Sequence, residues 1–540
     1  MSDYRLLLLL MPLLTFIAGC EQQSTRQLAQ KGLVYCSEGN PATFNPQLDI
    51  SGITVDATSH QLYNRLIRYN PETGQLEPEL ATSWLLRDDG VTYEFQLRKD
   101  VPFHSTPYFT PTRNFNVDDV IFTFDRWRML SHNYHNVSGG SYPYFESLEL
   151  SQVVEEVSRI NGYRVKIKLS HPDSSFLASL ATDFAIILSA EYAEYLEDEE
   201  LDKSLIDRRP IGTGPYKFAS FQRNSHIRYF RHPDYWAGPA KPEQLLYDIT
   251  PTSSMRLAKL ITGECDVAAY PAQTELKVIQ EHPELTLDEL PGLNVGFWAF
   301  NTKRPPFDNP KVRRALAMAI DKETLLDAVY FDSAVRAKGI LPPTSWAYDQ
   351  TQQEVNYNPV RARQLLEEAG FGEGFSMNIW ALPVQRPYNP NARKMAEIMQ
   401  RYLAEIGVSA RIISYEWSNF RERLRAMQHD SVLIGWSADN VDPDNFYRPL
   451  LSCPAVDSGS NRANWCHPEF DKVLEQALMS ADKQQRTALY RQANQILNDQ
   501  MPLVPLAHAY RFQAYRKAVR NLPILPFGGI AFGGVSKEER

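Results

Sequence analysis

Hydrophobic and polar residues alternate in two segments of the N-terminal half. The segment TYEFQLR begins at Thr92, and RVKIKL begins at Arg164, just after an Asn161-Gly162 pair that is typical of a tight turn. Successive side chains of a strand point to opposite faces, so a period of two indicates a strand with one buried face. We therefore predict two half-buried β-strands here.

Apolar residues that recur every three or four positions predict helices elsewhere. Asn116 can cap one helix, Asn309 with Pro310 can begin a second, and Gly407 can end a third. We interpret the apolar stripes of these helices as core faces, and the strands and helices together predict a mixed α/β fold. The stripes are Val117, Val120, Ile121, Phe124 and Trp127; Val312, Ala315, Leu316, Ala319 and Ile320; and Met395, Ile398, Met399, Tyr402, Leu403 and Ile406, with further helices at about 468 to 480 and, capped by Asp482, about 483 to 499.

The size and charge of the chain limit what it can be. At 540 residues it is too long for one ordinary core, so we expect two or three lobes. Aromatic residues make up 11%, and 36 Pro outnumber 26 Gly, which indicates a globular protein with many fixed turns. The net charge is -9 and the basic residues are scattered, so nucleic-acid binding has little support.

The first twenty residues predict an export signal rather than part of the fold. Arg5 precedes an apolar run at residues 6 to 18, which is too short for a permanent membrane helix. Small residues before Cys20 resemble the lipobox of bacterial lipoproteins, which implies cleavage of residues 1–19 and lipidation of Cys20. The acyl chains would hold the protein at a membrane. The alternative is an ordinary cleaved signal with an incidental Cys, and which membrane is involved stays open.

Four cysteines remain after the signal, and an exported protein meets an oxidising compartment. We therefore expect two disulfides, for which Cys36, Cys265, Cys453 and Cys466 allow three connectivities. Cys453 and Cys466 form the obvious local loop. The rival interpretation is a zinc site that uses these two cysteines and His467, but the spacing lacks a CxxC pair.

No motif for catalysis is present. The sequence has no HExxH, GxSxG, Walker or GxGxxG pattern. The run from Gly212 to Pro215 fits a tight turn better than a phosphate loop, because Pro215 has no N–H to donate. His132 and His135 are interpreted as part of a solvated polar loop. We expect a protein that is not an enzyme and that has no resident cofactor or metal.

Arg386 and Asp439 together suggest a recognition site. A free short peptide is a zwitterion, so a pocket that removes it from water needs a cation for the carboxylate and an anion for the ammonium. The alternative is that both residues are surface charges or partners in structural salt bridges.

Several long stretches resemble the large peptide-binding family of solute-binding proteins that serve ABC importers. The stretches are GLVYCSEGNPATFNPQL from Gly32, ATSWLLRDDGVTYEFQLRKDVPFH from Ala81 with FNVDDVIFTFDR, RPIGTGPYKF from Arg209, PGLNVGFWAFNTKRPPFDNPKVRRALAMAIDK from Pro291 and WALPVQRPYNPNARKMAE from Trp380. The resemblance covers nearly everything after the signal. PFHSTPYFTPTR and the C-terminal segment from Leu503 are more similar to the Sap branch, which is associated with sensitivity to antimicrobial peptides.

The resemblance implies a two-lobed periplasmic-binding-protein-like fold with hinge closure. The first lobe would be discontinuous, comprising residues 20–291 plus 510–540 with an extra subdomain, and the second lobe would comprise residues 292–509. The four cysteines match the dipeptide-binding members, which implies the pairs Cys36 with Cys265 and Cys453 with Cys466.

The same resemblance implies roles for single residues. Asp439 matches the Asp of a GW-x-x-D-N stretch that grips the peptide ammonium, and Arg386 matches the Arg that grips the carboxylate. Ser51 and Gly52 match a loop that offers main-chain contacts. Further candidates, for the pocket walls, are Trp436, Trp417 and Tyr388.

We therefore expect a lipid-anchored, monomeric periplasmic protein that captures di- or short peptides and delivers them to ABC permease subunits in the inner membrane. Heme or cationic antimicrobial peptides are alternative ligands. An envelope sensor or scaffold and a peptide hydrolase are alternative functions; a hydrolase would need a nucleophile and base within hydrogen-bond reach.

Overall fold

The computed structural model describes residues 32–457 and 460–538, without the side chains of residues 417 and 418. The predicted signal peptide and the lipidation site Cys20 lie outside the described residues. No helix within the described ranges is long and apolar enough to cross a membrane.

The described strands are β1 Gly32–Ser37, β2 Ile67–Asn70, β3 Gln75–Pro78, β4 Ala81–Leu86, β5 Thr92–Leu97, β6 Val154–Asn161, β7 Arg164–Leu169, β8 Tyr216–Gln222, β9 His226–Arg231, β10 Gln244–Ile249, β11 Val267–Ala268, β12 Leu285–Pro291, β13 Asn294–Phe300, β14 Ala334–Arg336, β15 Phe375–Ala381, β16 Val408–Ile413, β17 Ser431–Ser437, β18 Leu503–Arg516, β19 Val519–Arg520 and β20 Ser536–Lys537.

The described α-helices are Gly52–Leu62, Val117–Arg128, Pro143–Ser147, Leu150–Val153, Phe176–Leu180, Ala190–Asp198, Leu205–Arg208, Ser253–Thr262, Leu276–Glu281, Pro310–Met318, Lys322–Tyr330, Pro359–Glu368, Ala392–Glu405, Trp417–Arg425, Asp444–Leu451, Pro454–Asp457, Pro468–Met479 and Lys483–Gln500; a 3₁₀ turn covers Gln273–Glu275.

Strand β18 runs through both halves of the molecule. The large mixed sheet has the order β16-β15-β17-β13-β18-β11-β1-β10-β9-β8, and β12 and β14 also pair with β18. The first half of β18 pairs with β13 and β14, whereas its second half, from Tyr510, pairs with β12 and β11. The chain therefore crosses between two α/β lobes along β18 and again between β12 and β13.

Three large hydrophobic cores match this division. One is built from residues between Leu293 and Ala509 and belongs to the second lobe. Another surrounds β1 and β8–β10 in the first lobe. The third lies under the four-stranded sheet β4-β5-β7-β6 and forms the extra subdomain of the first lobe. The fold is the predicted two-lobed α/β arrangement.

Most of the predicted elements are confirmed. The two alternating segments form β5 and β7, which pair antiparallel. Asn116 caps the helix Val117–Arg128 with a full capping box, in which Asp119 accepts from the Asn116 N–H. Asn309 and Asp482 cap the helices that follow them, as expected from their side-chain acceptors.

Both disulfides form with the pairing that the resemblance implied. Cys36 on β1 is bonded to Cys265, and Cys453 is bonded to Cys466, with Cα–Cα distances of 5.9 and 4.5 Å. The zinc alternative is wrong, because disulfide sulfurs are not thiolate ligands. His467 instead caps the helix Pro468–Met479 through the Phe470 N–H.

The solvated-loop interpretation of the two histidines is wrong for His135. This side chain is buried, and its Nδ1 lies 2.8 Å from the Arg126 carbonyl oxygen. The segment folds back over the helix Val117–Arg128, so a polar composition concealed a buried, hydrogen-bonded residue. His132 is only partly buried.

Candidate binding site

Asp439 lies just beyond the end of β17, and a buried asparagine fixes its backbone. The Asn445 side-chain oxygen accepts from the Asp439 N–H at 3.0 Å and from the Trp436 indole N–H at 3.1 Å. Asn445 is 2% exposed and lies in the first turn of the helix Asp444–Leu451. A single amide thus orients both candidate residues.

The Asp439 carboxylate is held in an unfavourable electrostatic environment. Burial and, to a lesser extent, the negative charge of Asp183 together raise the pKa of Asp439 to about 7, and a hydrogen bond from Asn445 opposes part of this increase. Among the described residues, no Arg, Lys or His forms an ion pair with Asp439. A partly buried carboxylate in such surroundings gains from any cation that a ligand brings.

Asp183 belongs to the first lobe, so two lobes contribute to this region. It is 7% exposed and accepts from Arg65 at 3.2 Å and pairs with His60 at 2.7 Å. Burial alone would raise the pKa of Asp183, but His60, Arg65 and Arg511 together lower it below its ordinary value. Asp183 is therefore a fixed anion opposite Asp439, and the neutral Tyr144 hydroxyl of the same lobe also lies near Asp439.

Arg386 sits in a tight turn that two glycines make room for. Arg386 and Asn389 exchange backbone hydrogen bonds at 3.1 and 3.0 Å. Tyr388 in this turn packs over β13 and β17, where a Cβ on Gly296 or Gly435 would come within 2.4 Å of it. The Tyr330 hydroxyl also donates to the Tyr388 carbonyl at 2.8 Å. The glycines are needed because the turn lies directly on the sheet.

Glu38, which follows β1 in the first lobe, faces Arg386 across the cleft. Burial raises the pKa of Glu38, while the positive charges of Arg256 and Arg386 oppose the increase. Arg386 is partly buried and also lies beside the Tyr388 hydroxyl. The Arg386 guanidinium is therefore part of the surface between the lobes.

Ser51 and Gly52 form the start of the helix Gly52–Leu62 on the first-lobe side. The Ser51 side chain accepts from the Thr54 N–H, which leaves the N–H groups of Gly52 and Ile53 without an intrahelical acceptor. Gly52 faces Tyr270, whose hydroxyl would lie 3.1 Å from an added Cβ. This exposed helix start can offer main-chain donors to a ligand.

A buried aspartate connects the two ends of the region. Asp56 lies one turn into the helix Gly52–Leu62, and its pKa is raised to about 7, mainly by burial and against a hydrogen bond from Tyr35. The charges of Glu38 and Asp183 make smaller contributions that also raise this pKa, so Asp56 lies near one neighbour of Arg386 and one neighbour of Asp439. The predicted cation and anion thus face a common first-lobe surface.

The remaining wall candidates differ in position. Trp436 follows Gly435 on β17, so it projects from the face opposite to that covered by Tyr388. Trp417 begins the helix Trp417–Arg425, and its side chain lies outside the described part of the chain.

Sequence reasoning missed Asn445, Asp183, Glu38 and Tyr270. Asn445 lies in the quoted stretch around Asp439, but its role depends on a turn that brings it back to Trp436. The other three reach the region through folding of the first lobe and carried no local signal.

Two cavities in the described structure lie elsewhere. One of about 500 Å³ is lined by Phe103, Lys217 and His232 among others, and one of about 280 Å³ by Glu323, Tyr330 and Arg336 among others. Neither includes a candidate residue. In the described ranges, no group of His, Cys, Asp and Glu side chains is arranged to hold a metal ion.

A family model described as bacterial extracellular solute-binding proteins, family 5, middle region, matches residues 75–458. The chain is 44% identical over 508 residues to the dipeptide-binding protein of Escherichia coli K12, covering 94% of this chain and 95% of the relative. It is 43% identical over 524 residues to the probable ABC transporter periplasmic-binding protein SapA of the same organism, covering 97% and 95%.

A third relative, heme-binding protein A of Haemophilus influenzae, is 41% identical over 530 residues, covering 96% of each chain. Among solved structures, the dipeptide-binding protein of Pseudoalteromonas sp. SM9913 in complex with Met-Leu is 48% identical. It superimposes with a TM-score of 0.87 and covers 94% of this chain and 100% of the other.

Proposed function

Because the chain belongs to the family 5 bacterial extracellular solute-binding proteins, we propose that it captures di- or short peptides between its lobes and delivers them to an ABC permease in the inner membrane. The proposal is for a binder and carrier, since members of this family bind solutes without converting them. A relative that the chain matches over 95% of its length is named for dipeptide binding, and a structural relative holds Met-Leu.

The observation that carries the proposal is the state of Asp439. Its carboxylate is desolvated, repelled by Asp183 and without a cation partner among the described residues. A peptide ammonium would supply the missing positive charge and restore the ionised form. We call Asp439, Trp436 and Asn445 the ammonium site.

Arg386 would bind the carboxylate end of the same ligand. A guanidinium presents a planar pair of donors that fits a carboxylate, and Glu38 would balance its charge in the ligand-free protein. Ser51 and Gly52 would offer main-chain N–H groups to the peptide backbone. Trp436 beside Asp439 and Tyr388 beside Arg386 would form two separate walls for its side chains, with Trp417 as a further wall.

Relatives of this chain support heme and cationic antimicrobial peptides as alternative ligands, but the charged residues of the proposed site do not. The identities of 44% and 43% do not separate the dipeptide-binding from the SapA relative. Asp183 is paired with His60 and Arg65 and Glu38 faces Arg386, whereas Asp439 has no cation partner among the described residues, which favours a ligand with one ammonium over a long cationic peptide. Heme, which the name of a 41% identical relative suggests, is the comparator for the binding experiment.

Further parts of the proposal concern the whole chain. The lobe limits would be residues 20–291 plus 510–540 and residues 292–509, which the division of the cores and the change of partners along β18 support. Residues 1–19 would be a lipoprotein signal, and the protein would work as a monomer in the periplasm, anchored through lipidated Cys20.

The experiment is titration calorimetry of the purified protein with Met-Leu, a tripeptide, a pentapeptide and heme. We expect micromolar or tighter binding of the dipeptide and a sharp decrease for the pentapeptide, because the two charges are at a fixed separation. Binding of heme or of long cationic peptides with no measurable binding of Met-Leu would reject the proposed ligand class.

A further inference from the structure

A second set of contacts joins the lobes away from the ammonium site. Residues 173–175, which we call the closing loop, connect β7 to the helix Phe176–Leu180 in the extra subdomain. The Ser174 N–H donates to the Leu478 carbonyl at 2.9 Å, and the Ser174 hydroxyl donates to the Ala477 carbonyl at 3.3 Å. These carbonyls lie in the last turn of the helix Pro468–Met479 of the second lobe, where the regular helical hydrogen bonds end, and the Ala477 carbonyl also accepts from the Ser480 N–H at 3.4 Å.

The closing loop also meets an arginine of the second lobe. Arg448 lies 3.7 Å from the Asp173 carboxylate and donates to the Ser175 hydroxyl at 3.3 Å. Within its own helix it pairs with Asp444 at 2.6 Å. The side chains of Arg448, Asp173 and Asp444 are 16%, 1% and 2% exposed. This ion cluster is therefore largely shielded from water. Charge pairing is stronger in such a shielded environment than in water.

The ion pair between Arg448 and Asp173 can exist only when the two lobes are in contact. Burial alone would lower the pKa of Arg448, but Asp444 and Asp173 raise it well above its ordinary value. Asp444 stays with Arg448 whatever the lobes do, since the two are four residues apart on one helix. Asp173 can reach Arg448 only across the interlobe boundary.

The same helix holds the ammonium site. Asn445, one turn before Arg448, fixes the Asp439 backbone and the Trp436 ring. A helix moves as a rigid unit over one turn, so a shift at Asn445 is transmitted to Arg448. The adjacent network in which Arg486 donates to Asp442 at 2.8 and 2.7 Å secures the loop before the helix.

We propose that the helix Asp444–Leu451 couples occupancy of the ammonium site to closure of the cleft, with Arg448 and the closing loop forming an interlobe latch. The inference rests on the proposed function, since it concerns the same ligand. When the ligand ammonium draws Asp439 and Asn445 into their closed positions, Arg448 reaches Asp173. Breaking the latch then shortens the life of the closed complex without altering the ligand contacts.

The test uses Asp173→Asn, which keeps the shape of the side chain and an acceptor for Ser175 but removes the charge opposite Arg448. Asp125→Asn is the matched control: it breaks a 2.7 Å pair with Arg128, also 16% exposed, within the first lobe. Arg448→Lys keeps the charge and should retain part of the latch.

Two measurements separate the latch from the proposed function. Stopped-flow displacement gives the dissociation rate of Met-Leu, and single-molecule energy transfer between dyes at Glu199→Cys and Glu367→Cys, in a Cys20→Ser chain, gives the open and closed populations. We expect Asp173→Asn to raise the dissociation rate about 5- to 30-fold and to enlarge the open population, while its association rate stays within about twofold of the wild-type value. Both rates of the Asp125→Asn control should also stay within about twofold of the wild type.

Dissociation rates and energy-transfer histograms that match those of the wild type would overturn the latch. If Met-Leu does not bind at all, the proposed function fails, and the energy-transfer histograms of the ligand-free protein then test the latch by themselves. A closed population in the wild type that Asp173→Asn reduces would support the latch. A wild type that is always open would overturn it.

Discussion

At the scale of single residues, the proposed peptide site depends most on Asp439. Its carboxylate is desolvated, lies opposite Asp183 and has no Arg, Lys or His as an ion-pair partner among the described residues. Sequence could identify Asp439 and Arg386 through their motifs, but it could not tell a ligand-binding charge from a salt-bridge partner. That distinction depends on Asp183 and Glu38, which the fold brings in from the other lobe.

Peptide affinity should depend on pH in a bell-shaped manner. With a pKa of about 7 in the free protein, Asp439 takes up a proton as the pH decreases, and a protonated carboxyl cannot pair with an ammonium. The peptide amine loses its proton above about pH 8. We expect affinity for Met-Leu to be greatest near pH 7 to 8 and to decrease about 10- to 100-fold by pH 5.

The measurement is calorimetry across pH 5 to 9, with correction for buffer ionisation. The variant Asp439→Asn should bind weakly throughout and show no acid limb. If the affinity of Asp439→Asn also decreases toward pH 5, by the same factor as in the wild type, the titrating group is another residue, such as Asp56.

The ligand-free protein should become more stable when Asp439 is neutralised. Its pKa is raised from 3.8 to about 7 in the folded state, so the folded state holds a proton that the unfolded chain releases between about pH 4 and 7. This destabilises the wild type increasingly as the pH rises through that range. Asp439→Asn should therefore melt at a higher temperature than the wild type at pH 8 and at nearly the same temperature at pH 4, by differential scanning calorimetry.

At the scale of elements, the predictable parts are those with local signals. Alternation located β5 and β7, and side-chain caps located the starts of the helices after Asn116, Asn309 and Asp482. The turn that carries Arg386 was not predictable in this way. It is placed by packing onto Gly296 and Gly435, which belong to strands distant in sequence.

This packing predicts the effect of Gly435→Ala. The new methyl group would lie 2.4 Å from the Tyr388 ring and from the Val295 carbonyl oxygen, so the turn must shift. We expect a loss of about 1 to 3 kcal/mol of stability in urea denaturation, together with about tenfold weaker binding of Met-Leu. Gly162→Ala, where nothing lies within 4 Å, should change neither quantity. If Gly435→Ala binds Met-Leu as tightly as the wild type, the turn that carries Tyr388 and Arg386 does not contribute to the peptide site.

At the scale of the whole molecule, the two disulfides act over very different lengths of chain. Cys36–Cys265 closes 229 residues and ties β1 to the segment before β11, whereas Cys453–Cys466 closes only 13. Composition and export predicted two disulfides, but the family resemblance was needed to choose the pairing. The contact between β1 and β11 that explains it is long-range.

Removal of each disulfide by paired Cys→Ala changes should destabilise the protein unequally. On the chain-entropy model, the long loop contributes about 5 kcal/mol and the short one about 3. Thermal unfolding of the two double variants should therefore show the larger decrease for Cys36 with Cys265. A larger decrease for the short loop would indicate that native-state packing around Cys453, and not chain entropy, dominates.

Asp439 and Arg386 are proposed to hold opposite ends of one peptide. The most direct test is a calorimetric cycle of wild type, Asp439→Asn and Arg386→Gln against Met-Leu, its N-acetylated form and its C-terminal amide. In the wild type, blocking either end should weaken binding by about 30-fold or more. Asp439→Asn should lose only the preference for a free amine, and Arg386→Gln only the preference for a free carboxylate. Equal affinities of the wild type for the free and the acetylated dipeptide would contradict the account.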